Sequence, residues 1–409
     1  MDRLSKEQKI ILHLSAKSIA KGKIALLCDA DFDGVNWQEI LDEAISQTVV
    51  LATFDALSSY KDKVDLEVYK KWQQTAFSIL QSNMVVLSAQ CELTDLMQNH
   101  PYVILKGSSA AVNYPKPELR SLGDVDFLID PKEQDGLEKL FIKNGYKKSM
   151  GDHPNHIVLD KPGSNLEMHF DVAGVPFGIQ GEKVKEYLKD TVFNPIVKTQ
   201  DFSTFNAPTE DKNALILLLH MQHHMLGDGF GIRHLCDWAT FVNAHVGDAF
   251  WDQSLLPLLK DIGLFTYTKV ITKTASIYLK STCPDWAKDA DENLCEDIIV
   301  DILTGGNFGV KDKTRSKSAM LISEAGKGGT KHGALYNLSH AMHRAVARQK
   351  CVKKFPPLYP IMYVYRSLRF LFLSAIGKRP SLIKMAPEAE KRKAIYDRLE
   401  VFVTEEEKK

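Results

Sequence analysis

The sequence predicts an α+β protein in which a small mixed β-sheet is flanked by helical regions on both sequence sides. Three observations support this prediction. Residues 1–100 carry apolar side chains at helical spacing, and the same spacing returns after residue 206. Between these regions, short apolar runs alternate with Gly- and Pro-containing turns, which is typical of strands and hairpins.

The bulk composition is that of an ordinary globular protein. The chain has 409 residues, of which 44% are hydrophobic and 25% charged, and 52 Lys and Arg balance 52 Asp and Glu. Proteins that coat a phosphate backbone usually have a basic excess, so long nucleic acid is not an expected partner.

The six cysteines are scattered and form no CxxC pair, which argues against a zinc site or a redox dithiol and fits a reducing compartment. The first residues show no apolar signal-peptide core, and no run of 18 uncharged apolar residues occurs. We therefore expect a cytoplasmic protein without a transmembrane segment.

The pattern divides the chain into five regions. We predict an N-terminal helical region over 1–100, a catalytic core over 101–205, a helical domain over 206–303, a Gly- and Lys-rich loop or flap over 304–334, and a C-terminal helical tail over 335–409. In the first region, Asn36 followed by Glu39 predicts a helix start.

The central region contains the predicted sheet. The pattern predicts strands over residues 102–105 and 124–129 and a helix over residues 131–144. It also predicts a hairpin formed by residues 156–159 and 166–171, with a turn at Pro162-Gly163. Because side chains alternate along a strand, Asp124 and Asp126 project from one face.

Two carboxylates this close repel each other, and a divalent cation relieves the repulsion. Oxygen ligands of this kind suit Mg²⁺ or Mn²⁺. By the same alternation, Glu167, His169 and Asp171 share a face of the hairpin's second strand, and either acid could complete a site of three carboxylates.

A phosphate site is predicted beside this metal site. Gly107-Ser108 lies where a strand turns into a helix, so backbone N–H groups and the helix dipole favour an anion there. Lys106 and Arg120 add positive charge on either side. Phosphoryl and nucleotidyl transfer need little beyond such positioning and charge neutralisation.

The ordered set Leu105-Lys106-Gly107-Ser108, Arg120, Gly123 to Leu128 and Leu166 to His169 resembles the polymerase-beta-type nucleotidyltransferase superfamily. More narrowly, it is similar to a bacterial group of nucleotidyltransferase family proteins with the order KG…R…GDxD…ExH and a later H…R…D segment. The resemblance covers roughly residues 10–390 and is sharpest over 102–172. It implies that Ser108 contacts the terminal phosphates, that Asp124 and Asp126 bind metal, and that Glu167 is the third acid, with Asp171 as a rival.

Two later segments have more than one interpretation. Three interpretations fit the segment that contains His220, His223 and His224 and continues to Arg233 and Asp237. It is a polar helix face packed on the catalytic core, a cleft wall in which His220, His224, Arg233 and Asp237 touch nucleotide or acceptor, or a zinc site. The apolar and aromatic residues 355–376 favour packing against the body over peripheral contact with a membrane.

We therefore expect an enzyme that moves a nucleoside monophosphate from an NTP, ATP foremost, to a hydroxyl or phosphate acceptor and releases pyrophosphate. A small molecule or sugar is the favoured acceptor. The alternatives are a protein-modifying enzyme of the same chemistry, as in toxin or AMP-transfer systems, and a non-catalytic nucleotide-binding module that keeps the fold.

Overall fold

A computed structural model describes residues 3–149, 155–322, 334–347, 349–376 and 382–404. The chain is α+β, as the sequence predicts. In the described part, no helix is both long enough and apolar enough to cross a membrane.

Within residues 3–101, four α-helices precede the sheet: α1 (Lys6–Ile19), α2 (Trp37–Ser46), α3 (Val50–Leu57) and α4 (Leu66–Leu96). The predicted start of α2 is confirmed, because the Asn36 side chain accepts hydrogen bonds from the backbone N–H groups of Gln38 and Glu39. Such a cap satisfies N–H groups that have no partner inside the helix.

The main sheet has five strands in the order β1-β2-β5-β4-β3. They are β1 (Tyr102–Ile104), β2 (Val125–Ile129), β3 (Lys147–Lys148), β4 (His156–Lys161) and β5 (Ser164–His169). Strands β2 and β5 pair in parallel and the other neighbours pair antiparallel, which makes the sheet mixed as predicted. Helices α5 (Gly107–Ala111) and α6 (Gln134–Lys143) follow β1 and β2.

The two faces of this sheet have different environments. Val125, Phe127, Leu166 and Met168 face a compact apolar cluster that includes side chains of α4 and α6. The alternate residues of the same strands therefore point to the opposite face, where the polar side chains of the candidate site lie.

Helix α7 (Ile179–Leu188) and the hairpin of β6 (Ile196–Gln200) and β7 (Ser203–Ala207) lead to a second group of helices. These are α8 (Glu210–Leu226), α9 (Ile232–His245), α10 (Leu256–Asp261), α11 (Phe265–Leu279) and α12 (Glu292–Gly305). They share one large apolar core with α1 to α3. The five-region division stays a prediction.

The loop predicted over 304–334 is wrong for part of its length. Helix α13 (Arg315–Ile322) lies within it, and residues 323–333 are outside the described residues. The inner side of α13 is partly polar: Arg315 is buried and paired with Asp301, and Arg392 donates to the Ser318 hydroxyl, while Leu321 and Ile322 join the apolar core. Because the apolar residues of α13 all lie in the run 319–322, the sequence shows no helical repeat of apolar side chains there.

The chain ends in α14 (Ala334–Ala347), α15 (Lys350–Lys354), α16 (Tyr359–Ala375) and α17 (Leu382–Arg398). The expectation that 355–376 packs against the body holds for one side of α16 only. That side contacts α14, with the Arg366 Nη1 donating to the Ala345 carbonyl at 2.8 Å. Large apolar side chains on the other side are exposed.

Candidate active site between the sheet and two helices

A cavity of about 610 Å³ lies between the polar face of the sheet and helices α8 and α9. Its lining includes Lys106, Gly107, Asp124, Asp126, Glu167 and His169 on the sheet side, and His220, His224, Arg233 and His234 on the helix side. The cavity is large enough for a small organic ligand.

Three acids meet on the sheet side. Asp126 and Glu167 are direct partners in the parallel register of β2 and β5, and Asp124 immediately precedes β2 on the same side as Asp126. All three line the cavity. Asp171 instead lines a different cavity, and its carboxylate accepts from the backbone N–H of Val172. The geometry thus groups Glu167, and not Asp171, with the two aspartates.

Asp126 is buried but charged. Burial alone would raise its pKa, yet the Lys106 ammonium, 2.8 Å from Oδ1, and the His169 ring hold the pKa well below the ordinary aspartate value. The His169 Nε2 lies 2.7 Å from the same oxygen. These two groups fix both the charge and the orientation of the Asp126 carboxylate.

Asp124 has the opposite character. Burial, together with the charges of Asp126 and Glu167, raises its pKa to about 6. Within the described residues, no Lys, Arg or His lies within ion-pair distance of this carboxylate. The site therefore holds negative charge that its own cations do not neutralise.

Two histidines, His156 and His169, lie beside Glu167. The ligand atoms of His156, Glu167 and His169 all lie within 4.8 Å of one another, close enough to hold one metal ion. His156 was missed in the sequence. It faces His169 across the antiparallel pair of β4 and β5, so the hairpin register was the signal that could have revealed it.

The turn after β1 is strained. Lys106 adopts φ 47° and ψ −128°, a conformation that costs a non-glycine residue on the order of 1–3 kcal/mol. Gly107 follows with φ +32°, and a Cβ placed on it would meet no atom within 4 Å. In this conformation the Lys106 side chain points toward Asp126. The missing side chain of Gly107 leaves open space in the cavity beside Lys106.

Two predicted phosphate ligands are placed differently from the expectation. Ser108 is buried behind the turn and is absent from the cavity lining, and its hydroxyl has no hydrogen-bond partner in the described structure. Arg120 lines the cavity, but its Nε and Nη2 each donate to Asp237 at 2.8 Å. Asp237 therefore pairs with Arg120 and not with Arg233, which lies four residues earlier on α9.

The helix side carries a cluster of aromatic rings. The ring centroid of His220 lies 4.4 Å from that of His224 and 5.3 Å from that of His234. Phe308, which precedes α13, contacts His224 at 4.7 Å and His234 at 5.4 Å between ring centroids. Arg233 lies over the Phe308 ring at 5.8 Å.

These histidines are neutral near pH 7. Burial lowers the pKa of His220, His224 and His234 well below the ordinary value, and neighbouring positive groups lower it further. Both ring nitrogens of His234 lack a hydrogen-bond partner among the described residues, although its side chain is buried. Arg233 donates to the Ser121 carbonyl at 3.3 Å and forms no ion pair with a described carboxylate.

The model of a family described as uncharacterised nucleotidyltransferase matches residues 33–280, more than half of the chain. The chain belongs to this family. Membership supports nucleotidyl transfer as the general activity, and the matched residues of this nucleotidyltransferase family include the sheet, α8 and α9, and so both sides of the cavity.

Other comparisons add little to the family assignment. A crystal structure of an antigenic nucleotidyltransferase-like protein from Paracoccidioides brasiliensis aligns with 50% of this chain and 94% of that chain, at 14% identity and a TM-score of 0.30. No curated protein matches the chain.

Proposed function

We propose that the protein transfers a nucleoside monophosphate from an NTP to a hydroxyl or phosphate acceptor, with a divalent cation, Mg²⁺ or Mn²⁺, held by the acids of the sheet. The observation that carries the proposal is the meeting of Asp124, Asp126 and Glu167 beside the Lys106-Gly107 turn in one cavity. A small molecule or sugar is the favoured acceptor.

The donor set suits a divalent cation. Asp124 is a partly buried carboxylate with a raised pKa and no cationic partner among the described residues, and the Lys106 ammonium already pairs with Asp126. Asp124, Asp126 and Glu167 would hold the ion, which supplies charge neutralisation for the triphosphate. His156 and His169 stand close enough to Glu167 to add nitrogen ligands, a combination that favours Mn²⁺ over Mg²⁺.

The residues of the chain have separate roles in the transfer. Lys106 and the backbone N–H of Gly107 would hold the β and γ phosphates, and Glu167 would accept the proton of the acceptor hydroxyl. The acceptor oxygen then forms a bond to the α-phosphorus, the bond from that phosphorus to the β-phosphate oxygen breaks, and pyrophosphate leaves.

The helix side would bind the rest of the ligands. Arg233 offers a cation that no described carboxylate neutralises, and His220, His224 and His234 offer neutral donors and acceptors. A phosphate on the nucleotide or acceptor suits Arg233, and a base or sugar suits the rings. Arg120, which is hydrogen-bonded to Asp237, would hold α9 in position against the sheet, and its positive charge would attract the phosphates.

The test is incubation of the full chain with each of the four NTPs, labelled in turn at the α and γ phosphates, with Mg²⁺ or Mn²⁺ and a metabolite extract. We expect the α label to move to a new product and the γ label to appear in pyrophosphate. Label on a protein band would favour the protein-modifying alternative, whereas NTP binding without any transfer would favour a non-catalytic module.

Two matched variants test whether Glu167 or Asp171 is the third acid of the site. Glu167→Gln should lower the transfer rate by about a hundredfold, because it removes both a metal ligand and a proton acceptor. Asp171→Asn should leave the rate within about twofold, since Asp171 lies in another cavity. The reverse result would move the third role to Asp171.

A further inference from the structure

The C-terminal half of the chain carries an exposed apolar helix face that the proposed activity does not use. On α16, Ile361, Val364, Tyr365, Leu368 and Phe372 are each more than half exposed. At about 100° per residue these five positions lie within an arc of about 100° around the helix axis. They form one continuous stripe, here called the α16 face.

The opposite side of α16 is already occupied. Arg366 donates to the Ala345 carbonyl of α14, Ser339 and Tyr363 hydroxyls lie 3.3 Å apart, and the Tyr359 hydroxyl bonds the His343 ring. The helix is therefore held to the body by its polar and aromatic side, and the α16 face points away from α14. Phe355 and Ile376, at the two ends of the helix, are also exposed.

The surrounding sequence is strongly basic. From residue 325 to residue 387 the chain has no Asp or Glu and has twelve Lys and Arg, although the whole chain is neutral with 52 of each sign. Among these, Lys354 and Arg369 are exposed next to or on α16. The remaining 346 residues hold the other 40 Lys and Arg with all 52 Asp and Glu, so the net basic excess is confined to the region that bears the α16 face.

We propose that the α16 face docks on an anionic membrane surface. An apolar helical stripe flanked by Lys and Arg lies in the plane of the lipid headgroups, with the apolar side chains among the acyl chains and the cations at the phosphates. Tyr365, which belongs to the α16 face, is of the residue type that prefers this interface. Charge complementarity selects anionic lipid as the occupant. This inference is independent of the proposed transfer activity.

The experiment is co-sedimentation of the full chain with vesicles of phosphatidylcholine alone and of phosphatidylcholine mixed with phosphatidylglycerol. We expect binding to the mixed vesicles, little binding to phosphatidylcholine alone, and a loss of binding as salt rises. The double variant Leu368→Glu/Phe372→Glu should bind the mixed vesicles at least about tenfold more weakly.

The matched control is Leu26→Glu, because Leu26 and Leu368 are both 62% exposed and Leu26 lies far outside the basic region in sequence. It should bind vesicles as the wild-type chain does. Circular dichroism and thermal unfolding of each variant show that the fold is retained, and Arg369→Glu gives a second variant that tests the charge alone.

Three results would overturn the proposal. The first is equal binding of the wild type and the double variant to mixed vesicles. The second is no vesicle binding together with a shift of RNA or duplex DNA on a gel, which would assign the basic region to nucleic acid. The third is no vesicle binding together with a concentration-dependent dimer that Leu368→Glu abolishes, which would assign the face to a second copy of the chain.

Discussion

The two sides of the cavity hold polar groups by different physical means. On the sheet side, Asp126 stays charged because Lys106 and His169 lie beside it, while Asp124 has no such partner in the described part of the chain and has a raised pKa. On the helix side, His220, His224 and His234 are neutral because burial disfavours their charged form. The charges of the sheet side therefore suit a cation, and the groups of the helix side suit neutral or anionic parts of a ligand.

The largest expected effect tests whether the helix side is a fixed wall. Asp237 on α9 accepts both Arg120 hydrogen bonds and the Tyr114 hydroxyl at 2.7 Å, and all three residues are buried. Asp237→Ala leaves a buried guanidinium without its partner, so the free energy of unfolding should fall by about 3–5 kcal/mol. Chemical denaturation measures this fall.

A surface ion pair is the control for that measurement. Lys183 and Asp261 also form an ion pair, but both side chains are substantially exposed. Asp261→Ala should lower the free energy of unfolding by no more than about 1 kcal/mol. Equal effects of the two substitutions would show that the Asp237 network contributes no special rigidity to the wall.

The second effect concerns the charged acid of the sheet side. Asp126→Asn should lower the transfer rate by on the order of 10²-fold or more, because a metal ligand is lost where phosphate charge has to be neutralised. The variant should still fold, as circular dichroism would show. Activity close to that of the wild type in a purified assay would contradict the metal role.

The third prediction uses the opposite pKa shifts of the two aspartates, measured with chelator present. Because folding raises the pKa of Asp124 from 3.8 to about 6, the folded state is penalised as pH rises through that window. At pH 7, Asp124→Asn should therefore be more stable than the wild type, by on the order of 2 kcal/mol. Below pH 4 the difference should vanish.

Asp126 should behave with the reverse sign. Its pKa is lowered on folding, so its charge stabilises the folded state at neutral pH, and this contribution is lost only as pH falls below the ordinary aspartate value. Asp126→Asn should therefore be less stable than the wild type at pH 7. Thermal unfolding of both variants across pH 3 to 8 decides the matter, and shifts of the same sign would remove the contrast between the two acids.

The smallest effect tests the helix side as a binding surface. Arg233→Ala should raise the KM for the nucleotide or the acceptor by about tenfold, since one charged hydrogen bond is lost, while kcat changes less. Arg233→Lys should recover part of the affinity. Unchanged KM values for both substrates would show that Arg233 does not bind them and only packs against Ser121 and Phe308.

Local chemistry along the sequence was enough to predict much of this molecule. Alternation along a strand placed Asp124 and Asp126 together, the Pro162-Gly163 turn predicted the β4–β5 hairpin, and Asn36 marked the start of α2. The same local patterns did not predict α13, where buried Arg315 and Ser318 accompany two adjacent buried apolar residues, Leu321 and Ile322.

Relations between distant residues were decided only by the tertiary structure. Parallel pairing of β2 with β5 brings Glu167 beside Asp126, and antiparallel pairing with β4 brings His156 to His169. Packing also fixes Arg120 on Asp237 across 117 positions of sequence. Alternation and helical periodicity give the face on which a side chain lies, but pairing between strands and burial between elements determine which side chains on those faces meet and which remain charged.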